Sequence, residues 1–166
     1  VAALAIASFA IAPAVHAQAD TVRPEVGKPL QAAEALYKAG KHRDALAKVA
    51  EADAVSGKTP YENYIIQRTR GSIAAAAGDN ETAAKAFEAV IGSGRASGAE
   101  QLKMIQAVAG LHYRAKDYQK SAMWAARYQK EGGSDPQMRT LLVQSYVLTS
   151  DCASATDHNN CLGSLA

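Results

Sequence analysis

Apolar residues recur every three or four positions along most of this chain, which is the spacing of one face of an α-helix. A clear example is Leu102, Ile105 and Val108, which a helix would align on one side. No stretch alternates apolar and polar residues for long enough to predict a β-strand. Glycine, proline and short polar runs divide the pattern into seven predicted helices, at about 29–39, 42–55, 60–77, 80–91, 98–115, 118–130 and 136–148.

A short polar turn recurs along the chain and joins these helices into pairs. In its sharpest copy, at 114–122, one helix ends near Ala115 and the next begins around Tyr118. The small residues near the start of each second helix are spaced by 38, 38 and 34 positions, at Ala45, Ala83, Ser121 and Ala155. A period of this length is typical of repeated helix–turn–helix units, so we predict an all-α fold in which such pairs stack into an array.

Two stretches carry the capping-box pattern that marks the start of a helix. Thr59 is followed three positions later by Glu62, and Ser97 is followed at the same spacing by Glu100. In such a box, each side chain bonds a backbone N–H near the other residue. The second copy is weakened by Gly98 at the first helical position, but both predict a helix start.

The first 17 residues form a separate apolar segment that is followed by small residues. This pattern predicts a secretory signal cleaved after Ala17, and hence a periplasmic or secreted protein. The alternative is a membrane anchor, but a span needs about 20 apolar residues and Asp20 ends the run too early. We expect no membrane span after cleavage. The predicted organisation is a signal peptide incomplete at its N-terminus at 1–17, a leader at 18–28, repeats at 29–155 and an irregular, truncated tail at 156–166.

The chain has two cysteines, Cys152 and Cys161, both in its least regular part. Export would permit a disulfide between them. Two free thiols are the alternative, and the spacing does not decide between them.

Charge and motifs argue against several functional classes. Lys and Arg number 18 against 16 Asp and Glu, so there is no basic excess of the kind that binds nucleic acid. The glycine-rich stretch at 92–98 lacks the Gly-Lys-Ser/Thr ending of a phosphate loop, and no nucleophile-elbow sequence surrounds a serine. We interpret His42, His112 and His158 as surface or helix-end residues. We therefore predict neither enzymatic activity, cofactor nor metal, and keep an exported hydrolase only as a third alternative.

The repeats resemble the tetratricopeptide family of helix–turn–helix units. The first helices carry a small or β-branched residue at the family's small position, namely Ala33, Gly71, Ala109 and Val143. The turns read Gly40-Lys41-His42, Gly78-Asp79-Asn80, Lys116-Asp117-Tyr118 and Ser150-Asp151-Cys152. The resemblance implies a right-handed superhelical array of about three and a half repeats, in which small residues let paired helices approach closely.

The resemblance also implies that the first helix of each pair lines a concave groove. Its groove positions, carried onto this chain, select Tyr37, Lys38, Arg68, Lys103, Gln106, Tyr113, Arg114 and Gln144. Such a groove would be basic and would carry two tyrosines, which suits a segment presenting carboxylates. The alternative is that these residues form the solvated face of amphipathic helices.

We therefore expect a non-catalytic periplasmic scaffold that binds a protein or peptide partner in the cell envelope through this groove. The alternative is that the chain is the purely structural N-terminal part of a longer exported protein, whose active region lies beyond it.

Overall fold

The computed structural model describes residues 20–149, which form seven α-helices and no strand. The helices are α1 (Pro24–Lys38), α2 (His42–Asp53), α3 (Pro60–Ala76), α4 (Asn80–Gly92), α5 (Gly98–Arg114), α6 (Tyr118–Lys130) and α7 (Pro136–Leu148). The prediction of an all-α fold is confirmed for this part of the chain. The predicted signal peptide at 1–17, the tail at 156–166, Ala155, His158 and the two cysteines lie outside the described residues.

Helix α1 begins at Pro24, so the prediction that it starts at Pro29 is wrong. The apolar stripe extends back by one turn, because Val26 is fully buried beside Leu30. Pro24 occupies the first helical turn, where a missing N–H costs nothing. Pro29 lies inside the helix, and burial of the preceding turn offsets the hydrogen bond that it cannot donate.

The helices pack in sequential order, each against the next, as expected for a linear array of hairpins. One core cluster joins α1, α2 and α3 through Val26, Val49 and Ile66. A second joins α3, α4 and α5, and a third continues from α4 to α7 around Trp124. The core therefore runs along the array without a single centre, which is consistent with an α-solenoid-like arrangement.

The recurring turn has the same backbone geometry in all three described hairpins. Gly40, Gly78 and Lys116 occupy the same position and have φ angles of 72°, 78° and 62°. The next residue donates its N–H back to the helix that has just ended, for example from Asp117 to the carbonyl of His112 at 2.9 Å. This is the Schellman arrangement, and it confirms that the turn marks the end of each first helix.

The small residues that the pattern placed on the first helices lie at close helix crossings. A Cβ atom on Gly71 would lie 2.6 Å from the ring of Phe87 on α4. Ala33 and Ala109 are fully buried. Close approach within each hairpin therefore depends on these positions.

The two predicted capping boxes have different outcomes. Thr59 and Glu62 form a complete box at the start of α3. Ser97 precedes α5 but its side chain makes no capping hydrogen bond, so the prediction of a second box is wrong. The reason is local, because Gly98 has a φ of 55° and takes the first residue of α5 out of the helical conformation. Within residues 20–149, no helix is long and apolar enough to cross a membrane.

Candidate functional site

A depression between α1 and α3 brings two of the predicted groove residues together. It has a volume of about 330 Å³ and lies between the first helices of the first two hairpins. Its lining includes Tyr37 from α1 and Arg68 from α3, together with Leu30, Gln31, Glu34, Ile65, Thr69, Ser72 and Ile73. The floor is apolar, because Leu30 and Ile73 are buried, whereas charged side chains stand at the rim.

On the α1 side of the depression, Tyr37 is 38% exposed and its ring rests against His42 at a centroid distance of 5.7 Å. Lys38 lies one turn from Glu34, and its Nζ is 2.7 Å from Glu34 Oε1. The hydrogen bond and the charge of Lys38 lower the pKa of Glu34. The positive charge of Lys38 is therefore balanced by a neighbouring carboxylate.

On the α3 side, Arg68 connects two hairpins. Its Nη1 donates a hydrogen bond to Tyr64 Oη at 3.2 Å, and its Nη2 lies 3.6 Å from Glu100 Oε1 on α5. The side chains of Arg68 and Glu100 are 51% and 50% exposed. The guanidinium is thus held at one edge and remains accessible to solvent beside the depression.

The remaining predicted groove residues do not line this depression. Lys103 and Gln144 are exposed on α5 and α7, whereas Gln106 donates to Asp135 Oδ2 at 2.7 Å. Arg114 lies near the hairpin turns and donates from Nε to Asn80 Oδ1 at 3.2 Å.

The ring of Tyr113 packs edge-on against Tyr118 across the same turn, at a centroid distance of 5.4 Å. Gln106, Tyr113 and Arg114 therefore make contacts within the chain. Four of the predicted groove residues are cationic, and two of these, Lys38 and Arg68, form ion pairs with carboxylates of the chain.

The strongest polar contact near α1 and α3 involves Glu62, which the sequence indicated only as a capping residue. Its fully buried carboxylate accepts three hydrogen bonds from Arg23, from the backbone N, Nε and Nη2, each at 2.9 Å. The backbone N–H of Thr59 donates a fourth at 2.8 Å. These donors, led by the Arg23 side chain, lower the pKa of Glu62 to about 2. The two partners are 39 residues apart, so no local pattern indicates the pair.

A second, partly buried polar cluster joins α4, α5 and α6. Glu88 Oε1 accepts a hydrogen bond from Trp124 Nε1 at 2.9 Å and lies 2.8 Å from His112 Nε2. Asp117 Oδ2 lies 3.7 Å from the other ring nitrogen. His112 is in the last turn of α5, which confirms the interpretation as a helix-end residue, and it is only 3% exposed, so it is not on the surface. His42 is half-buried at the first position of α2.

Comparison with known proteins does not assign this chain to a family. Neither the protein-family models nor the curated proteins that we searched match it. In the part of the chain that the structure describes, no three His, Cys, Asp or Glu side chains converge as metal ligands. The depression between α1 and α3 therefore remains the candidate site, on its geometry and on the exposed side chains at its rim.

Proposed function

We propose that this chain is a non-catalytic scaffold of the periplasm or cell exterior that binds an extended segment of an envelope protein. In this proposal the seven helices follow the tetratricopeptide superhelix, with α1, α3, α5 and α7 on the concave side. Direct contacts between α1 and α3, and between α5 and α7, support this arrangement because they make the first helices of neighbouring hairpins adjacent.

The proposal depends on one observation, which is that Tyr37 and Arg68 line the same depression. An apolar side chain of the bound segment would enter it above Leu30 and Ile73, where desolvation gives most of the affinity. Tyr37 offers flat contact area with little side-chain entropy to lose. Arg68 would bind a carboxylate of the same segment through a charge-assisted hydrogen bond.

The alternative is that the array is a purely structural part of a longer exported protein. One observation favours it, because Tyr146, Val147 and Leu148 at the end of α7 are 38%, 57% and 49% exposed. Further protein packed on that end would cover them. In this alternative the depression beside Arg68 has no ligand.

Peptide display separates the two. A random peptide library is selected on the purified chain, and the dissociation constant of an enriched peptide is measured by fluorescence anisotropy. We expect peptides that combine an apolar side chain with a carboxylate, and a loss of about tenfold in affinity for Tyr37→Ala or Arg68→Gln. Arg43→Gln is the matched control, because Arg43 is an exposed arginine on α2, the second helix of its hairpin. The proposal is wrong if no peptide is enriched, or if neither variant weakens binding.

A further inference from the structure

Glu100 does not make the contact that the sequence pattern predicts for it. It is the third residue of α5, where the capping box would direct it to the backbone N–H of Ser97. Ser97 has φ −144° and ψ 161°, the extended backbone of an N-cap residue. The backbone of Ser97 is thus already suited to a capping box. The box does not form, because Gly98 at φ 55° takes the first residue of the helix out of the helical conformation.

The carboxylate of Glu100 lies instead 3.6 Å from Arg68 Nη2, at the rim of the depression. An ion pair of this length between half-exposed side chains is weak, because water competes for both charges. Arg68 does not depend on it for its position, since Nη1 is also held by the Tyr64 hydroxyl. A second carboxylate could therefore replace that of Glu100 without moving the guanidinium.

Gly98 allows Glu100 to reach its alternative partner. A glycine changes between left-handed and helical φ at little cost, and a Cβ built at this position meets no atom within 4 Å. A helical Gly98 would continue α5 regularly up to Ser97, as Pro60 does for α3 after Thr59. Glu100, which is already in the first turn of α5, would then accept from the Ser97 N–H and bring its charge closer to the positive end of the helix.

We propose that Glu100 is an internal competitor for the ligand's carboxylate, and that it moves from Arg68 to the N-terminus of α5 when a ligand binds. This inference rests on the proposed function, since it concerns the same depression and the same arginine. It adds a specificity element: Glu100 lowers the affinity for acidic ligands, because their carboxylate must displace it from Arg68, and it leaves the affinity for neutral ligands unchanged. The release of Glu100 also couples ligand binding to the conformation of Gly98, which follows the loop at 93–97.

The test compares Glu100→Gln with the wild-type chain. The probes are an acidic peptide selected as above and its counterpart with Asn and Gln in place of Asp and Glu. Removing the competing charge is expected to raise affinity for the acidic peptide about two- to fivefold and to leave the neutral peptide unchanged. The control is Glu81→Gln, which removes the same charge from the first turn of α4. Unchanged or weaker binding of the acidic peptide by Glu100→Gln would overturn the inference, while binding by the wild-type chain would still support the proposed function.

A second measurement needs no peptide. Arg68→Gln removes the present partner of Glu100, so the capping box is expected to close and amide hydrogen exchange at Ser97 to slow by about threefold or more. Exchange at Thr59, whose N–H already bonds Glu62, serves as the internal reference and should not change. If Ser97 exchanges at the wild-type rate in Arg68→Gln, Glu100 does not move to the helix N-terminus, and the inference is wrong whether or not any peptide binds.

Discussion

The starts of α3 and α5 carry the same capping pattern but have different structures. At α3, Thr59 and Glu62 bond each other's backbone, and the Glu62 carboxylate is fully buried. At α5, Ser97 makes no capping bond and Glu100 is half exposed beside Arg68. The difference has two causes: Gly98 takes the start of α5 out of the helical conformation, and Arg23, the residue before α1, holds the carboxylate of Glu62 at α3. With the same sequence pattern, the carboxylate of Glu62 is fixed at the start of α3, whereas that of Glu100 is free to move at the start of α5.

The largest expected effect is the loss of stability of the folded chain when the glutamate at the start of α3 is replaced. Glu62→Gln replaces one acceptor oxygen with an NH₂ group that must face N–H donors, whichever way the amide is turned. Arg23 also loses a buried counter-charge. We expect the melting temperature, followed by circular dichroism, to fall by about 10 °C.

Glu100→Gln is the matched control for that substitution. It removes the same charge at the same helix position, but from a weak and exposed ion pair. Its melting temperature should lie within about 2 °C of that of the wild-type chain. Similar losses in the two variants would contradict the contrast between a fixed and a movable carboxylate.

The second prediction concerns pH. The pKa of Glu62 is about 2 in the folded chain, against 4.5 as its ordinary value. Between about pH 2 and pH 4.5, the unfolded state therefore binds a proton at Glu62 and the folded state does not. The stabilisation from Glu62 is complete above about pH 4.5 and is lost as pH falls to about 2.

Urea unfolding of the wild-type chain and of Glu62→Gln at several pH values measures this effect. The difference in the free energy of unfolding should be constant above about pH 5 and should narrow toward about pH 2. Other carboxyls with lowered pKa values, such as Asp53 and Glu131, are present in both proteins and cancel. A difference that does not change with pH would mean that the charge of Glu62 does not hold Arg23.

Local features of the fold were predictable from the sequence. The hairpin turns depend on a few consecutive residues, so Gly40 and Gly78 mark helix ends correctly, and the pattern extends to Lys116 without a glycine. The start of α1, in contrast, is at Pro24 and not at the predicted Pro29. Its first turn is stabilised by Glu62, which lies in the next hairpin, and no pattern within the helix shows that contact.

The candidate site was predictable only in part, because contacts between residues distant in sequence also determine which of its side chains are free. Tyr37 and Arg68 follow from the family resemblance because they lie on neighbouring first helices. Gln106 and Arg114 occupy analogous positions, yet they bond Asp135 and Asn80, which are 29 and 34 residues away. A helical pattern shows which side chains face outward, but it does not show which of them already have a partner in a neighbouring repeat.

The smallest expected effect tests whether the start of α5 can change conformation. Gly98 and Gly57, which lies just before the first capping box, have φ angles of 55° and 62°, and a Cβ atom added at either position would meet no atom within 4 Å. Gly57→Ala should lower the free energy of unfolding by about 1 kcal/mol, because alanine is strained at this φ. Gly98→Ala should cost less than about half of that, since the new alanine can adopt helical φ while Glu100 closes the box and offsets the change. Urea midpoints of the two variants measure the difference. Equal costs would mean that α5 keeps its present start, and that Glu100 remains beside Arg68.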